Sequence, residues 1–268
     1  MQVGKAEPEA RAAGGGPWTP DAEPPLTARS VLASTLLGAD PPELPVSHLV
    51  GVAGLFGIND NRARVALSRM VGSGEATTDG EGRYALAGHL LERQRRQAAS
   101  RAGRTDRWDG TWTVAVVTTA GSSAEVRARR RRALGRARLA ELREGVWTRP
   151  DNLALPLDEG LGADLVVLRG ATGIPDDAAG RLWDLGGWAA RAEALLAALE
   201  EAPPAGAADL APGFVLSAAV LRHLQADPLL PDRLLPTAWP GARLRDVYDE
   251  WDAAYRRVLA AWGTTAPA

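Results

Sequence analysis

The stretch GINDNRARVALSRM, residues 57–70, decides the fold of the N-terminal half of the chain. Asn59 or Asp60 can cap a helix here, because its side chain can accept a hydrogen bond from a free N–H group of the first turn. Behind the cap, apolar residues recur at helical spacing and predict a buried face. These residues are Ala63, Ala66, Leu67 and Met70. We therefore expect a helix that ends at Gly72 or Gly74.

The outward face of this predicted helix carries side chains suited to DNA. Arginine can donate to both O6 and N7 of guanine, and asparagine can pair with adenine. Serine and a further arginine suit phosphate oxygens. The candidate DNA-binding residues are Asn61, Arg62, Arg64, Val65, Ser68 and Arg69. The alternative is an exposed arginine-rich helix without a partner, which is less common for the last helix of a three-helix unit.

The flanking segments complete a three-helix unit followed by a hairpin. Thr27 can cap a first helix, and a second helix follows Pro45 and ends at Gly57, with Ile58 filling the space between helices. Two short β-prone runs around residues 79–82 predict a hairpin. This order predicts a winged helix-turn-helix over residues 27–90, in which Arg83 of the hairpin is a further candidate DNA contact.

Composition bounds the remaining possibilities. The chain has 268 residues, of which 46% are hydrophobic and 24% are charged, so it is globular over most of its length. It has no cysteine and three histidines, which excludes disulfides and thiolate metal sites and argues against a histidine-rich metal centre. No apolar run is long enough to span a membrane, and we expect a cytoplasmic protein because no signal region is recognisable.

Charge is distributed unevenly along the chain. Residues 27–150 hold 20 basic and 12 acidic side chains, whereas residues 151–268 hold 9 basic and 17 acidic ones. A basic front half indicates either a polyanion partner or a solvated surface. Residues 1–26 are rich in glycine and proline and predict a disordered tail. Residues 91–107 form a basic linker that is either a helix or a loop, and that either follows the DNA backbone or is solvated.

A second domain is predicted over residues 108–177. Strands are expected at 111–118, 145–148 and 164–168, with a helix from about 123 to 143 between the first two. Strand, helix, strand, strand predicts a ferredoxin-like α+β unit. Seven arginines fall within 127–138. They form either a DNA or phosphate patch or a set of partners for the acidic C-terminal third.

Residues 178–268 predict a helical C-terminal domain for effector binding or dimerisation. Its last helix carries a continuous apolar stripe, which is typical of a core or a dimer interface. The stripe consists of Leu244, Val247, Tyr248, Trp251, Tyr255, Val258, Leu259 and Trp262. The predicted fold class is therefore α+β with three units.

Several short segments, in this order, resemble the PaaX-like family, named for the repressor of phenylacetic acid degradation. They are ARVALSRM (63–70), WDGTW (108–112), GVWTRP (145–150), LWDL (182–185), DPLLP (227–231), LLP (234–236) and WPG (239–241). Two features depart from the family pattern. Asp79 and Glu81 lie in the hairpin loop, where a wing near the minor groove usually needs positive charge, and the proline-rich tail has no counterpart.

The resemblance implies a homodimeric bacterial transcription regulator, not an enzyme. It implies repression of a catabolic or biosynthetic gene cluster from a double-stranded DNA operator, and release by a small-molecule effector such as phenylacetyl-CoA. No cofactor is implied. Arg130 and Arg131 are candidates for the phosphates of an acyl-CoA. Trp112, Trp147 and Trp183 are candidates to stack on an aryl group, with core packing as the alternative for each.

Two other function classes stay open at this point. A ferredoxin-like domain can host metal-dependent nuclease chemistry, and Asp109 lies just before a predicted strand where a metal-binding carboxylate is expected. Loop aspartates more often are solvated or act as caps. The other class is an interaction adaptor that uses the C-terminal helices and does not bind DNA.

Overall fold

The computed structural model describes residues 18–19, 26–119, 121–155, 162 and 164–265, with the backbone alone at 264 and 265. The predicted disordered tail, residues 1–26, lies outside the described residues except at positions 18, 19 and 26. Trp18 is half-buried and packs against apolar side chains of the C-terminal helices. The large apolar ring of Trp18 favours this burial.

Three helices open the described fold, and two of them begin at the predicted caps. They run Ala28–Leu37 (α1), Val46–Gly54 (α2) and Asp60–Gly72 (α3). Thr27 caps α1 by accepting from the backbone of Ser30. Asn59 caps α3 in the same way, accepting from the backbone of Arg62 at 2.9 Å.

The end of α2 differs from the prediction. The helix ends at Gly54, with Leu55 as its C-terminal cap, and not at Gly57. Gly57 instead adopts a φ of 68° in the turn between α2 and α3, a conformation that favours glycine. The turn places Ile58 in the core, as the sequence predicts, and its side chain is only 7% exposed there.

A small antiparallel sheet follows, and it has one strand more than predicted. The strands are Glu43–Pro45 (β1), Ala76–Thr78 (β2) and Arg83–Leu86 (β3), in the order β1-β3-β2. The strand β1 comes from the α1–α2 connection and pairs Leu44 with Tyr84. It has three residues, follows two prolines and ends on a third, Pro45, so neither its length nor its composition marks it as a strand.

The first helices and this sheet share one apolar core. Val31, Leu32, Leu36 and Leu67 have no measurable exposure within it. A fourth helix, Gly88–Ala102 (α4), leaves this core, packs along a C-terminal helix and ends at Gly103, which has a φ of 59°. The basic linker is therefore helical over most of its length.

The middle of the chain forms a four-stranded antiparallel sheet with one long helix. The elements are Trp112–Val117 (β4), Ala124–Arg136 (α5), Ala140–Arg143 (β5), Val146–Pro150 (β6) and Leu165–Ala171 (β7). The strand order is β5-β6-β4-β7. The mixed α+β class is therefore confirmed.

The predicted helix from 123 to 143 is too long. The helix α5 ends at Arg136, Arg138 takes a left-handed φ of 62°, and β5 begins at Ala140. The strand β5 pairs with β6, so Ala140 faces Thr148 across the ladder. Arginine and leucine favour helices locally, and the hairpin pairing of β5 with β6 overrides that preference.

Helices make up the C-terminal part. They run Ala178–Leu182 (α6), Leu185–Glu201 (α7), Leu210–Gln225 (α8) and Gly241–Thr265 (α9). The stripe of α9 is core: Leu244, Tyr248, Trp251 and Tyr255 are each at most 8% exposed and pack against α7 and α8. Among the described residues, no helix is both long and apolar enough to cross a membrane.

Candidate nucleic-acid interface

The helix α3 has two sharply different faces. Ala63, Leu67 and Met70 have no measurable exposure and pack in the N-terminal core. All six candidate DNA-binding positions on the other face are exposed: Asn61, Arg62, Arg64, Val65, Ser68 and Arg69. The structure therefore leaves the predicted reading face open to solvent.

The arginines of this face differ in whether they are paired with another side chain. The Arg64 Nε atom lies 2.9 Å from a carboxylate oxygen of Asp60, one turn earlier on the same helix. Both side chains are more than half exposed, so this pair contributes little to stability and breaks at small cost. Arg62 and Arg69 make no hydrogen bond or ion pair within the described part of the chain, and their guanidinium groups are available to a ligand.

The acidic residue Asp79 has a structural role in the hairpin loop. One Asp79 carboxylate oxygen accepts from the backbone N–H groups of Glu81 at 2.8 Å and Arg83 at 3.0 Å. These bonds, that from Arg83 foremost, lower the pKa of Asp79. Asp79 therefore shapes the turn. The side chain of Arg83, a candidate DNA contact, is exposed and paired with Glu43 of β1.

An ion pair between a buried carboxylate and a half-exposed arginine, which the sequence analysis missed, anchors the base of the hairpin. Glu75 is 7% exposed, and the Arg29 Nε atom of α1 donates to it at 2.7 Å. This hydrogen bond is the largest cause of the lowered pKa of Glu75. No signal in the sequence connects the two residues, because they are 46 positions apart. The pair fixes the hairpin relative to α1.

The structure does not bring the five candidate effector residues together. Trp112 is 1% exposed on one face of the middle sheet, where its ring stacks on that of Trp183 at 6.4 Å. Trp147 is 7% exposed on the other face, in the cluster that α5 covers. Arg130 and Arg131 lie on α5. An effector site on these residues stays a prediction, and both buried tryptophans serve as core.

Two arginines of the block, Arg127 and Arg131, have partners within the same unit, and Arg127 donates to the Ser122 carbonyl. Arg131 pairs with Glu141 of β5 at 2.8 Å. Arg138, just after the helix, donates to the backbone carbonyl of Asp227 at 2.8 Å. The predicted pairing with the acidic C-terminal third is therefore made at Arg138, through a carbonyl and not a carboxylate.

The carboxylate considered for nuclease chemistry forms a local turn. Asp109 accepts from the backbone N–H of Thr111 at 3.0 Å and from its hydroxyl at 2.6 Å, and these bonds lower the pKa of Asp109. Within the residues that the structure describes, no three His, Asp or Glu side chains lie close enough together to hold a metal ion.

Comparison with known proteins places this architecture in one family. Residues 27–90 match the model of the PaaX-like protein, residues 105–162 that of the PaaX protein central Cas2-like domain, and residues 183–262 that of the PaaX-like protein C-terminal domain. No curated protein matches.

A solved structure supports the same assignment. The chain is similar to the uncharacterized protein Rv0674 from Mycobacterium tuberculosis, with 42% sequence identity and a TM-score of 0.69. The match covers 88% of this chain and 98% of that one. With the three family models, it shows that this chain belongs to the PaaX-like family, a family of transcriptional regulators.

Proposed function

We propose that this protein is a homodimeric repressor that binds a double-stranded DNA operator through a winged helix-turn-helix and is released by a small-molecule effector. In this proposal α2 and α3 form the helix-turn-helix, with α3 as the recognition helix and the β2–β3 hairpin as the wing. The regulator acts in the cytoplasm, where a bacterial operator lies.

The observation that carries the proposal is the division of α3 between a buried and an exposed face. A recognition helix needs one face fixed in the core, and Ala63, Leu67 and Met70 meet that need. It also needs donors near its N-terminus that reach base edges. Arg62 meets this second need, because it is exposed and lies in the first turn of the helix.

The middle sheet supports a ferredoxin-like unit. Taken as the first to fourth strands of a βαββ(α)β chain, β4, β5, β6 and β7 lie in the spatial order 2-3-1-4, and all neighbours are antiparallel. The helix α5 connects the first two of these strands, as that topology requires. The connection between β6 and β7 lies partly outside the described residues.

A homodimer would carry two copies of α3 into successive major grooves, roughly 34–36 Å apart, on a palindromic operator. An effector such as an aryl-acyl-CoA would release the operator by binding more tightly to a dimer arrangement in which that spacing is wrong. Couplings of about 1–3 kcal/mol, typical of such systems, correspond to roughly 5–150-fold derepression.

The decisive experiment measures binding to DNA from the chain's own upstream region by fluorescence anisotropy across a salt series. We expect Arg64→Ala and Arg69→Ala each to lose about 1–3 kcal/mol of binding free energy, because each removes one guanidinium from the reading face. Neither should lower the melting temperature, since both side chains are exposed. Affinity should also fall steeply with salt.

Arg129→Ala, on the exposed side of α5, is the matched control and should bind DNA as the wild type does. Full-strength binding by both α3 variants would show that the reading face is wrong. Salt-independent or absent DNA binding would favour an interaction adaptor, and cleavage of the same DNA on addition of Mg²⁺ would favour a nuclease.

A further inference from the structure

A cavity of about 840 Å³ lies between the N-terminal unit and the C-terminal helices. Its walls come from α1 and α4 on one side and from α8 and α9 on the other. Across this space the two parts do not pack against each other, so their relative orientation depends on the contacts at the walls. A group of polar contacts there meets at one buried carboxylate, that of Asp252 on α9, which is 5% exposed.

Asp252 accepts from two guanidinium groups, one from each side of the cavity. The Arg101 Nη1 atom of α4 donates to the Oδ2 atom of Asp252 at 2.7 Å, and the Arg256 Nε atom of α9 donates to the same oxygen at 2.9 Å. A carboxylate that is removed from water needs such compensation by cations and hydrogen bonds. The arrangement in which both arginines reach Asp252 is therefore favoured over arrangements in which either one is withdrawn.

Arg101 is held on α9 at three points. Besides its bond to Asp252, its Nε atom donates to Asp249 at 2.6 Å. Its guanidinium carbon lies 4.9 Å from the centre of the Tyr248 ring, a distance at which a cation is attracted to the face of an aromatic ring. The Tyr248 hydroxyl lies 2.8 Å from that of Ser217 on α8. These contacts join the end of α4 to α8 and α9.

Arg256 extends the network from Asp252 to α1. Its Nη1 atom donates at 2.7 Å to the carbonyl oxygen of Gly38, the C-terminal cap of that helix. The last carbonyl groups of a helix lack partners inside it and carry partial negative charge, so a cation is favourable there. The last turn of α1 has no basic residue of its own. Arg256 supplies this cation from α9, and the ion pair with Asp252 orients it.

The end of α1 is a point from which the exposed face of α3 can be positioned. Val31, Leu32 and Leu36 of α1 have no measurable exposure and share one core with Leu67 of α3. Closely packed cores transmit a displacement from one helix to the next. A contact that fixes the end of α1 on α9 therefore also fixes the direction in which the exposed face of α3 points.

Aromatic rings make contact between the two parts on the side of α2. The Phe56 ring, just after α2, meets the Phe214 ring of α8 edge-on at 5.1 Å. A Cβ atom added at Gly51 of α2 would lie 3.2 Å from the ring of Trp262 on α9. Apolar burial is non-directional, whereas hydrogen bonds weaken steeply when they are misaligned. The network at Asp252 can therefore select one orientation among those that the apolar contacts allow.

We propose that Asp252 is a positioning residue for DNA reading, which holds the N-terminal unit in one orientation on the C-terminal helices through Arg101 and Arg256. Without the carboxylate charge, Arg256 loses the ion pair that orients it toward Gly38, and the N-terminal unit takes more than one orientation. In a dimer the two copies of α3 are then no longer held at one spacing. The proposal deepens the proposed function and rests on it for the role in DNA reading alone.

The first test measures the orientation in the full chain. The chain has no cysteine, so Thr77→Cys on β2 and Glu201→Cys at the end of α7, both at exposed positions, can carry a pair of spin labels. An excess of unlabelled protein leaves one labelled chain in each dimer. Pulsed electron–electron double resonance should give one narrow distance distribution with Asp252 present. In Asp252→Asn the distribution should be at least twice as wide or show a second peak.

Asp249→Asn is the matched control. It removes the same charge from the same helix and from the same partner, Arg101, but Asp249 is 54% exposed and Arg256 keeps its bond to Asp252. It should retain the narrow distribution. Arg256→Gln should widen the distribution and decides the test if Asp252→Asn does not fold, because the Arg256 side chain is 48% exposed. A narrow, unshifted distribution in the folded variants, whatever their melting temperatures, would overturn the proposal.

The second test measures operator affinity. The loss of a negative charge should by itself strengthen binding to DNA, so the direction of the change separates orientation from charge. Asp252→Asn should weaken operator binding at least fivefold with an unchanged salt dependence, because it removes no phosphate contact. Asp249→Asn should bind at least as tightly as the wild type. Equal operator affinities of Asp252→Asn and Asp249→Asn would contradict the role in DNA reading.

The two tests together separate this proposal from the proposed function. A widened distribution in Asp252→Asn, in a protein whose wild type has no operator affinity, would keep the contact that orients the N-terminal unit and remove the regulator. Operator binding by the wild type, with narrow distributions in all three variants, would keep the regulator and remove the positioning role of Asp252.

Discussion

His223 on α8 is a histidine held neutral by its surroundings. Its ring stacks on that of Trp188 at 4.3 Å, and its Nε2 atom lies 3.1 Å from the Trp188 carbonyl oxygen, to which the neutral ring donates. Burial, followed by the positive charge of Arg191, lowers the pKa of His223 to about 4 against the opposing effects of that hydrogen bond and of Asp227. The free energy of unfolding must therefore depend on pH.

Between about pH 6.5 and 4 the unfolded chain binds a proton at His223 that the folded chain does not, so stability falls as the pH falls through this window. We expect the wild type to lose about 2 kcal/mol between pH 7.5 and 5 from this residue. His223→Phe, which keeps a stacked ring, should lose about 2 kcal/mol less over the same range. Urea unfolding at the two pH values measures both losses.

His89→Phe is the control for this prediction, because the His89 side chain is 66% exposed and its Nε2 atom lies 3.6 Å from a carboxylate oxygen of Glu75, so the change removes this distant pairing and little packing. It should retain most of the pH dependence of the wild type. An identical pH dependence in His223→Phe and the wild type would show that His223 is solvated in the folded protein.

Among the helices and strands, those that are encoded by signals within a few residues of sequence were predictable. The caps at Thr27 and Asn59 and the period of α3 are encoded within a few residues, and the structure confirms them. The strand β1 forms because it pairs with β3, which is distant in the sequence, and β5 forms because it pairs with β6, which follows after a turn. Local sequence favours a loop at β1 and a helix at β5, so the sequence alone could not assign either.

The strand β7 presents an apolar surface that no other part of the described chain covers. Val166 is 48% exposed and Leu168 is 52% exposed, and they pair with Val116 and Val114 on the same face of the middle sheet. The other face is covered by α5 through Leu134. This surface supports the proposed homodimer, because exposed apolar patches on sheets commonly mark interfaces.

If the dimer forms through this face, Leu168→Glu should raise its dissociation constant at least tenfold, since the new carboxylate would have to be desolvated. Sedimentation velocity over a range of concentrations measures the change. Leu142→Glu is the control: Leu142 is 45% exposed on β5, at the opposite edge of the sheet. A dimer that tolerates Leu168→Glu as well as it tolerates Leu142→Glu must use another surface.

At the scale of the whole molecule, the cavity between the N-terminal unit and the C-terminal helices could not be predicted from the sequence. Three of the arginines that line it, Arg29, Arg93 and Arg222, belong to three helices separated by more than 60 and 120 positions. No spacing rule connects them, and each alone resembles a solvated surface arginine. The exposed face of α3 was predictable by contrast, because one helical period fixes all its members.

The three parts of the chain meet at a buried polar junction. Asp227, 1% exposed between α8 and α9, pairs through its carboxylate with Arg245 of α9 at 2.8 Å. The Asp227 backbone carbonyl accepts from Arg138 of the middle unit at 2.8 Å. Arg138 and Arg245 both donate to Ser100 at the end of α4. These side chains therefore connect all three parts of the chain at one point.

Arg245→Met should lower the free energy of unfolding by about 3 kcal/mol, because it leaves the Asp227 carboxylate buried without its cation. Asp227→Asn in the same chain should recover part of this loss by removing the stranded charge. Arg243→Met is the matched control on the same helix: Arg243 pairs with Glu193 and Glu200, all three more than half exposed, so it should cost less than about 1 kcal/mol. Equal urea-unfolding free energies for the two arginine variants would mean that solvent reaches the junction, and that the three parts are held together by apolar packing instead.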